Sequence, residues 1–167
     1  VNRSGEEFTL EGGAIRVGLG RVRELTCRAR ESIYRGRPYA GLHDLIARSE
    51  LGRTELENLI RAGALDFLGR ARRQMLFEAD MMFEQAKRQR GHAPMFGYED
   101  APSEPVFHDL DSERMRDEWA LLTLSTGEHP VACVRRLFEG EGLERSGVIP
   151  ARIGRRVRLC GMAAAAR

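Results

Sequence analysis

Asp109-Leu110-Asp111 is the stretch that most resembles a metal site, because two carboxylates one residue apart are a common start for divalent-cation binding. No third ligand accompanies them, and they stand in an acidic linker beside a helix cap. His43, His92, His108 and His129 share no spacing that would make a ligand set or an oriented general base. Cys27, Cys133 and Cys160 are far apart and odd in number, which argues against a disulfide framework or a CxxC clip and points to a reducing cytoplasm. Gly18-Leu19-Gly20 lacks the third glycine and the following acid of a dinucleotide fingerprint. These residues define no catalytic set, no metal site and no cofactor site.

The sequence offers backbone chemistry instead. Two tight turns each lead straight into a helix: Arg23-Glu24-Leu25-Thr26, and Arg61-Ala62-Gly63-Ala64-Leu65-Asp66. A turn feeding a helix N-terminus points unpaired N–H groups outward, and the helix dipole adds partial positive charge. Together they make an anion site without a charged side chain. Arg70, Arg72 and Arg73 fall in the expected first turn of a long helix, where cations are disfavoured by roughly 0.3–1 kcal/mol each, so a nearby anion is expected. A nucleic-acid phosphate is one candidate, and acids elsewhere in the chain are the other.

The elements that position these turns are mostly helical. Residues 8–19 read as two short extended segments around Gly12-Gly13. Helical spacing then puts Val22, Leu25, Ala29 and Ile33 on one face, with Thr26 as a cap for a helix running to about Arg35. Pro38 and Gly41 break it, and Leu42, Leu45 and Ile46 open a short new helix. Thr54-Glu55-Leu56-Glu57 fits a capping box before Leu56, Leu59 and Ile60, and Gly63 stops that helix. A long helix is expected from about Arg70 to Arg90, with Met75, Leu76, Ala79, Met82, Phe83 and Ala86 inward. Residues 91–111 are a linker by their proline, glycine and acid content. Ser112 caps a further helix with Met115, Trp119 and Leu122 inward, and Pro130 starts another that ends near Phe138. Val157 and Leu159 alternate with Arg156 and Arg158, which is a strand pattern.

The net charge of +2 hides a segregation: residues 16–90 hold 16 basic and 10 acidic groups, and residues 91–125 hold 2 basic and 8 acidic. Of the 27 basic residues only Lys87 is a lysine, and arginine favours planar, multidentate phosphate contacts. No apolar run approaches the roughly 20 residues needed to span a membrane, and no signal segment is visible. The chain opens on Val1, which points to a longer parent.

VNRSGEEFTLEGGAIRVGLGRV, RARESI, LIRAGALDFLGRARRQML, MFG, HPV and GRRVRLCGM stand in the order seen in bacterial C-family DNA polymerases, the polymerase III alpha subunit and its error-prone relatives. The chain resembles the region after the catalytic fingers. The resemblance implies a mainly α fold: a tandem helix-hairpin-helix module, a linker with short helices, then the first strand of a truncated OB-fold β-barrel. It implies a lead-in at 1–13, a DNA-binding module at 14–90, a linker at 91–111, a helical connector at 112–147 and the start of the OB domain at 148–167.

The partner implied is double-stranded DNA, met at Arg21, Arg23, Leu25, Thr26 and Arg28 in the first hairpin. In and after the second hairpin the contacts implied are Arg61, Gly63, Ala64, Arg70, Arg72 and Arg73. The family's Gly-apolar-Gly hairpin is here Glu24-Leu25-Thr26; an alternative register uses Gly18-Leu19-Gly20, but the helix before it is then too short. The family's sliding-clamp peptide aligns with His92-Ala93-Pro94-Met95-Phe96, with Met95 and Phe96 as anchors and His92 in place of the usual glutamine. The segment itself carries no catalytic residue, and the Mg2+ of the parent polymerase would lie elsewhere. The location implied is cytoplasmic and nucleoid-associated. Two other readings stay open: a free-standing helix-hairpin-helix repair module, and a protein adaptor that has lost DNA binding.

Overall fold

The computed structural model describes residues 1–89, 107–127, 129–138, 140 and 142–161, and side chains 85–89 and 133 are not included. The chain divides into two compact units, Val1–Leu124 and Ser125–Arg167.

In the first unit, β1 (Thr9–Glu11) and β2 (Ala14–Arg16) pair antiparallel around Gly12-Gly13, with Leu10 opposite Ile15. Both glycines have positive φ, which the tight turn requires. A single 3-10 turn at Leu19–Arg21 follows. The first helix, α1 (Cys27–Gly36), starts where Thr26 Oγ1 accepts from the Ala29 N–H at 3.2 Å. The expected helical stretch from Val22 is therefore shortened, although Val22 and Leu25 are still buried. At the other end of α1 the Tyr39 hydroxyl donates toward the Ser32 and Ile33 carbonyls at 3.3 and 3.2 Å.

Helix α2 (Leu42–Arg48) and helix α3 (Arg53–Arg61) come next. Here the capping expectation needs correction. The cap is Gly52, not Thr54, and Glu55, not Glu57, reaches back to accept from the Gly52 N–H at 2.8 Å. After Gly63 and a 3-10 turn at Asp66–Leu68, α4 runs Arg72–Gln89, so Arg70 precedes the helix. Beyond residues 90–106, α5 (Asp111–Leu122) packs in the same unit.

The core of this unit is built from Ile33, Leu45, Leu56, Leu59, Leu65 and Met75, all fully buried. Trp119 does not join it: 40% of its surface is exposed, while Glu118 and Leu122 face inward. Helical spacing favours the larger apolar side chain, but the buried guanidinium of Arg72 draws Glu118, one position round, inward.

The second unit contains α6 (Pro130–Leu137), begun by Pro130 as expected and capped by His129, and a 3-10 stretch at Ser146–Arg152. The strand expected around Val157 and Leu159 is reduced to one parallel bridge between Leu143 and Arg158, so no barrel strand forms among the described residues. A lone alternating segment has no neighbour to complete a ladder. The protein is thus mainly helical, with one small two-stranded sheet. Among the described residues no helix is long and apolar enough to cross a membrane.

Candidate nucleic-acid interface

Both turns identified in the sequence are formed, and they are locked to each other. In the first, Glu24 takes a left-handed conformation with φ 59°. Only glycine adopts that region without cost, so the backbone here keeps a glycine-type bend while carrying a carboxylate. Leu25 is buried behind the bend, and its carbonyl accepts from Arg30 Nη1 at 2.5 Å. Asn58, on α3 just before the second turn, donates from Nδ2 to the Arg23 carbonyl at 3.3 Å.

The second turn ends α3 by bonds from Gly63 N–H to the Ile60 carbonyl (3.0 Å) and from Ala64 N–H to the Leu59 carbonyl (2.9 Å). Gly63 has φ 78°, and a Cβ there would lie 2.2 Å from Arg72 Nη2. Two independent constraints therefore require glycine at this position.

The arginines divide sharply by environment. Arg72 is only 5% exposed. Its guanidinium donates to the Arg61 carbonyl (2.8 Å), to both Asp66 carboxylate oxygens (2.9 and 2.6 Å) and to Glu118 Oε1 (2.9 Å). Burial opposes its charge, but the Asp66 and Glu118 carboxylates outweigh that and raise its pKa. Arg72 is therefore an internal strut and presents no donor to an outside phosphate. Arg70 pairs with Glu78, and Arg73 lies 3.4 Å from Glu113.

The anion expected at the start of α4 is present, and it is the protein's own. Asp109 accepts from the Arg72 N–H at 2.9 Å and the Arg73 N–H at 3.0 Å. Both its oxygens are thereby engaged at a helix N-terminus, which accounts for the carboxylate that resembled a metal ligand. Among the described residues no three His, Cys, Asp or Glu side chains converge to hold a metal.

At the first turn Arg21, Arg23 and Arg28 are exposed. Arg21 donates to Thr123 Oγ1 at 3.1 Å, and Arg28 pairs with Glu50 at 2.5 Å while 80% exposed. Arg23 makes no ion pair among the described residues and is the freest cation at the turn. Thr26 is more occupied: its N–H and its hydroxyl both donate to Glu55 Oε1, at 3.1 and 2.7 Å. Among the described residues nothing accepts from the N–H groups of Cys27 and Arg28, in the first turn of α1. Arg61, at the second turn, is half-exposed and 3.6 Å from Glu57. His92, Met95 and Phe96 lie outside the described residues.

The two turns are legible in the sequence; the roles of the four acids that shape them, Glu55, Asp66, Asp109 and Glu118, are not. Asp109 is 37 residues from Arg72, and Glu118 is 46, so only the folded chain brings these groups together.

Two turns of the helix-hairpin-helix type, fixed to each other by a shared core, define the class. Residues 1–75 match the helix-hairpin-helix motif family. Over 151 residues, 90% of its length, the chain is 36% identical to the error-prone DNA polymerase of Corynebacterium diphtheriae, covering 14% of that protein. It is 32% identical over 168 residues to the error-prone DNA polymerase of Corynebacterium glutamicum, covering 97% of this chain and 15% of that one. The DNA polymerase III subunit alpha of Caulobacter vibrioides is 30% identical over 117 residues, covering 63% of this chain and 10% of that protein. The chain belongs to this family of bacterial error-prone polymerases and polymerase III alpha subunits, as a segment spanning about one seventh of the length of the Corynebacterium relatives.

Proposed function

We propose that this segment grips duplex DNA through its sugar-phosphate backbone, without reading base sequence, as part of a DNA polymerase. Its contribution to synthesis is retention on the template during replication or translesion synthesis. The observation that carries the reading is the Asn58 bond to the Arg23 carbonyl, which holds two phosphate-type turns in fixed register. Phosphate contacts position a protein on DNA and carry no sequence information, which suits a polymerase that must move along any template.

The grip is uneven. At the second turn the Gly63 and Ala64 N–H groups are used within the turn and Arg72 packs on Gly63, so a phosphate there would be met by the Arg61 guanidinium. The first has Glu24 at the bend and Glu55 on Thr26, two negative charges where a phosphate would come. The cations on the outer side are Arg21, Arg23, Arg28 and Arg61. Nucleotidyl transfer and its Mg2+ would belong to parts of the parent outside this segment; Asp109 is occupied by helix amides, and no step is assigned to it. Residues 14–90 would form the DNA-binding module and residues 148–167 the approach to an OB domain. A sliding clamp would meet Met95 and Phe96. The parent would act in the cytoplasm, at the nucleoid.

The Glu55–Thr26 contact also suits the adaptor reading, in which DNA binding has been lost. Anisotropy titration of the full chain with two labelled duplexes of unrelated sequence, at low salt, separates the two. Binding of both with similar affinity supports the grip. Absence of binding, or a strong preference for one duplex, sinks it.

A further inference from the structure

Helix α5 lies outside the matched motif, which ends at residue 75, yet it touches both turns. Its middle reaches the second turn: Glu118, 3% exposed, accepts from Arg72, whose guanidinium also holds the Arg61 carbonyl and Asp66. Its C-terminal end reaches the first turn. The Leu121 carbonyl accepts from the Arg23 N–H at 3.1 Å, and Thr123 Oγ1 accepts from Arg21 at 3.1 Å. Leu122, between them, is buried. At the N-terminal side, Asp109 caps α4 and Arg114 lies 3.4 Å from Asp66. One helix thus ties the backbone of one turn and, through Arg72, that of the other.

We infer that α5 is a positioning element for the DNA grip, with Glu118 as its anchoring residue. The inference rests on the proposed DNA-binding function. Glu118 touches no DNA; it acts through Arg72. Alongside the shared core and the Asn58 bond to the Arg23 carbonyl, this strut limits how far the two turns can move apart. With Glu118 neutral, the buried Arg72 guanidinium keeps only the partly exposed Asp66 carboxylate, so its charge is less well compensated at that junction.

The sign of the effect distinguishes positioning from simple charge. Glu118→Gln removes a negative charge from a protein that binds a polyanion, so electrostatics alone would tighten binding. The strut predicts the opposite: duplex affinity of the full chain falls roughly three- to thirtyfold, with an unchanged salt slope because no phosphate contact is lost. Amide hydrogen exchange supplies a readout that needs no DNA. It should quicken at residues 22–26 and 61–66 in Glu118→Gln while the amides of α2 keep their protection. Should Glu118→Gln fold poorly, Glu118→Asp keeps the charge and the Arg72 network but shortens the reach of the carboxylate to Arg72. That variant should quicken exchange in both turns by a smaller factor and weaken duplex binding by a few-fold. Unchanged exchange in both turns of Glu118→Gln, or tighter binding, overturns the inference. A wild-type chain that binds no duplex refutes the function instead, and the exchange data still decide whether α5 braces the turns.

Discussion

The Glu55 carboxylate accepts the backbone N–H of Thr26 at 3.1 Å and its hydroxyl at 2.7 Å, so an acid on α3 occupies the helix N-terminus that the first turn would otherwise offer to a phosphate. The same carboxylate caps α3 through the Gly52 N–H. One side chain therefore stabilises the fold and competes with the ligand.

Glu55→Gln separates these roles. Loss of charge-assisted bonds to two N–H groups and a hydroxyl should destabilise the chain by about 1–2 kcal/mol. Removal of one negative charge from the first turn should strengthen duplex binding severalfold at low salt. Chemical denaturation and an anisotropy titration on the same preparation read both. A variant that binds no better shows that the first turn is not a phosphate site.

The acid side of the stability profile follows from the same residue. Burial raises the Glu55 pKa, but the bonds from Gly52 and Thr26 outweigh it, and the net shift is downward from 4.5. A carboxyl whose folded pKa is depressed contributes stability that is complete above its unfolded value and is lost as pH falls through the folded one. Asp44 is held down to about 2 by its hydrogen bond from Arg48 and the Ala40 amide, so its share is lost later in the same descent. Thermal midpoints measured from pH 6 to pH 2 should begin to fall below about 4.5. In Glu55→Gln the first part of that fall should be smaller.

Glu24→Gly tests the bend. A non-glycine residue at φ 59° carries a conformational cost of about 1–2 kcal/mol, partly offset because glycine is freer when unfolded. The variant should gain about 0.5–1 kcal/mol in denaturant unfolding and bind duplex more tightly. Lower stability would mean that the Glu24 side chain makes a favourable interaction that exceeds the strain.

Gly63→Ala should do the reverse. The added methyl meets Arg72 Nη2 at 2.2 Å and φ is 78°, so a loss of at least about 2 kcal/mol is expected. At this chain length that is a fall of roughly 4–8 °C in Tm, readable by circular dichroism.

Arg72→Ala and Arg70→Ala look alike in sequence and should differ widely. Arg72 is buried between Asp66 and Glu118, and its removal should cost about 3–5 kcal/mol. Arg70 pairs with Glu78 at the surface, where such pairs contribute about 1 kcal/mol or less. Equal losses would contradict the buried network.

The legible parts of the fold were those written in local chemistry. Gly12-Gly13 marked the hairpin, Thr26 capped α1, Pro130 opened α6, and the apolar spacing gave α1 to α5 within a few residues. The second turn is legible in Gly63 and the first in the Thr26 cap, although Glu24 stands at its bend. What was hidden depends on distant partners. Three arginines at a helix start call for an anion, and the sequence does not say whether that anion is a phosphate or Asp109. Trp119 follows the helical spacing of Met115 and Leu122, yet the buried guanidinium of Arg72 turns Glu118 inward and leaves Trp119 half-exposed. The alternation around Val157 and Leu159 is a strand pattern whose ladder needs neighbours, and among the described residues it finds one bridge.

The most direct measurement is the salt dependence of duplex binding by the wild-type chain and by Arg23→Ala, the freest cation at the first turn. A phosphate grip gives a linear fall of log K with log salt, about 0.9 per phosphate neutralised, on duplexes of any sequence, and Arg23→Ala lowers that slope by about one contact. A flat salt response, or a slope that Arg23→Ala leaves untouched together with the affinity, would contradict a backbone grip at these turns.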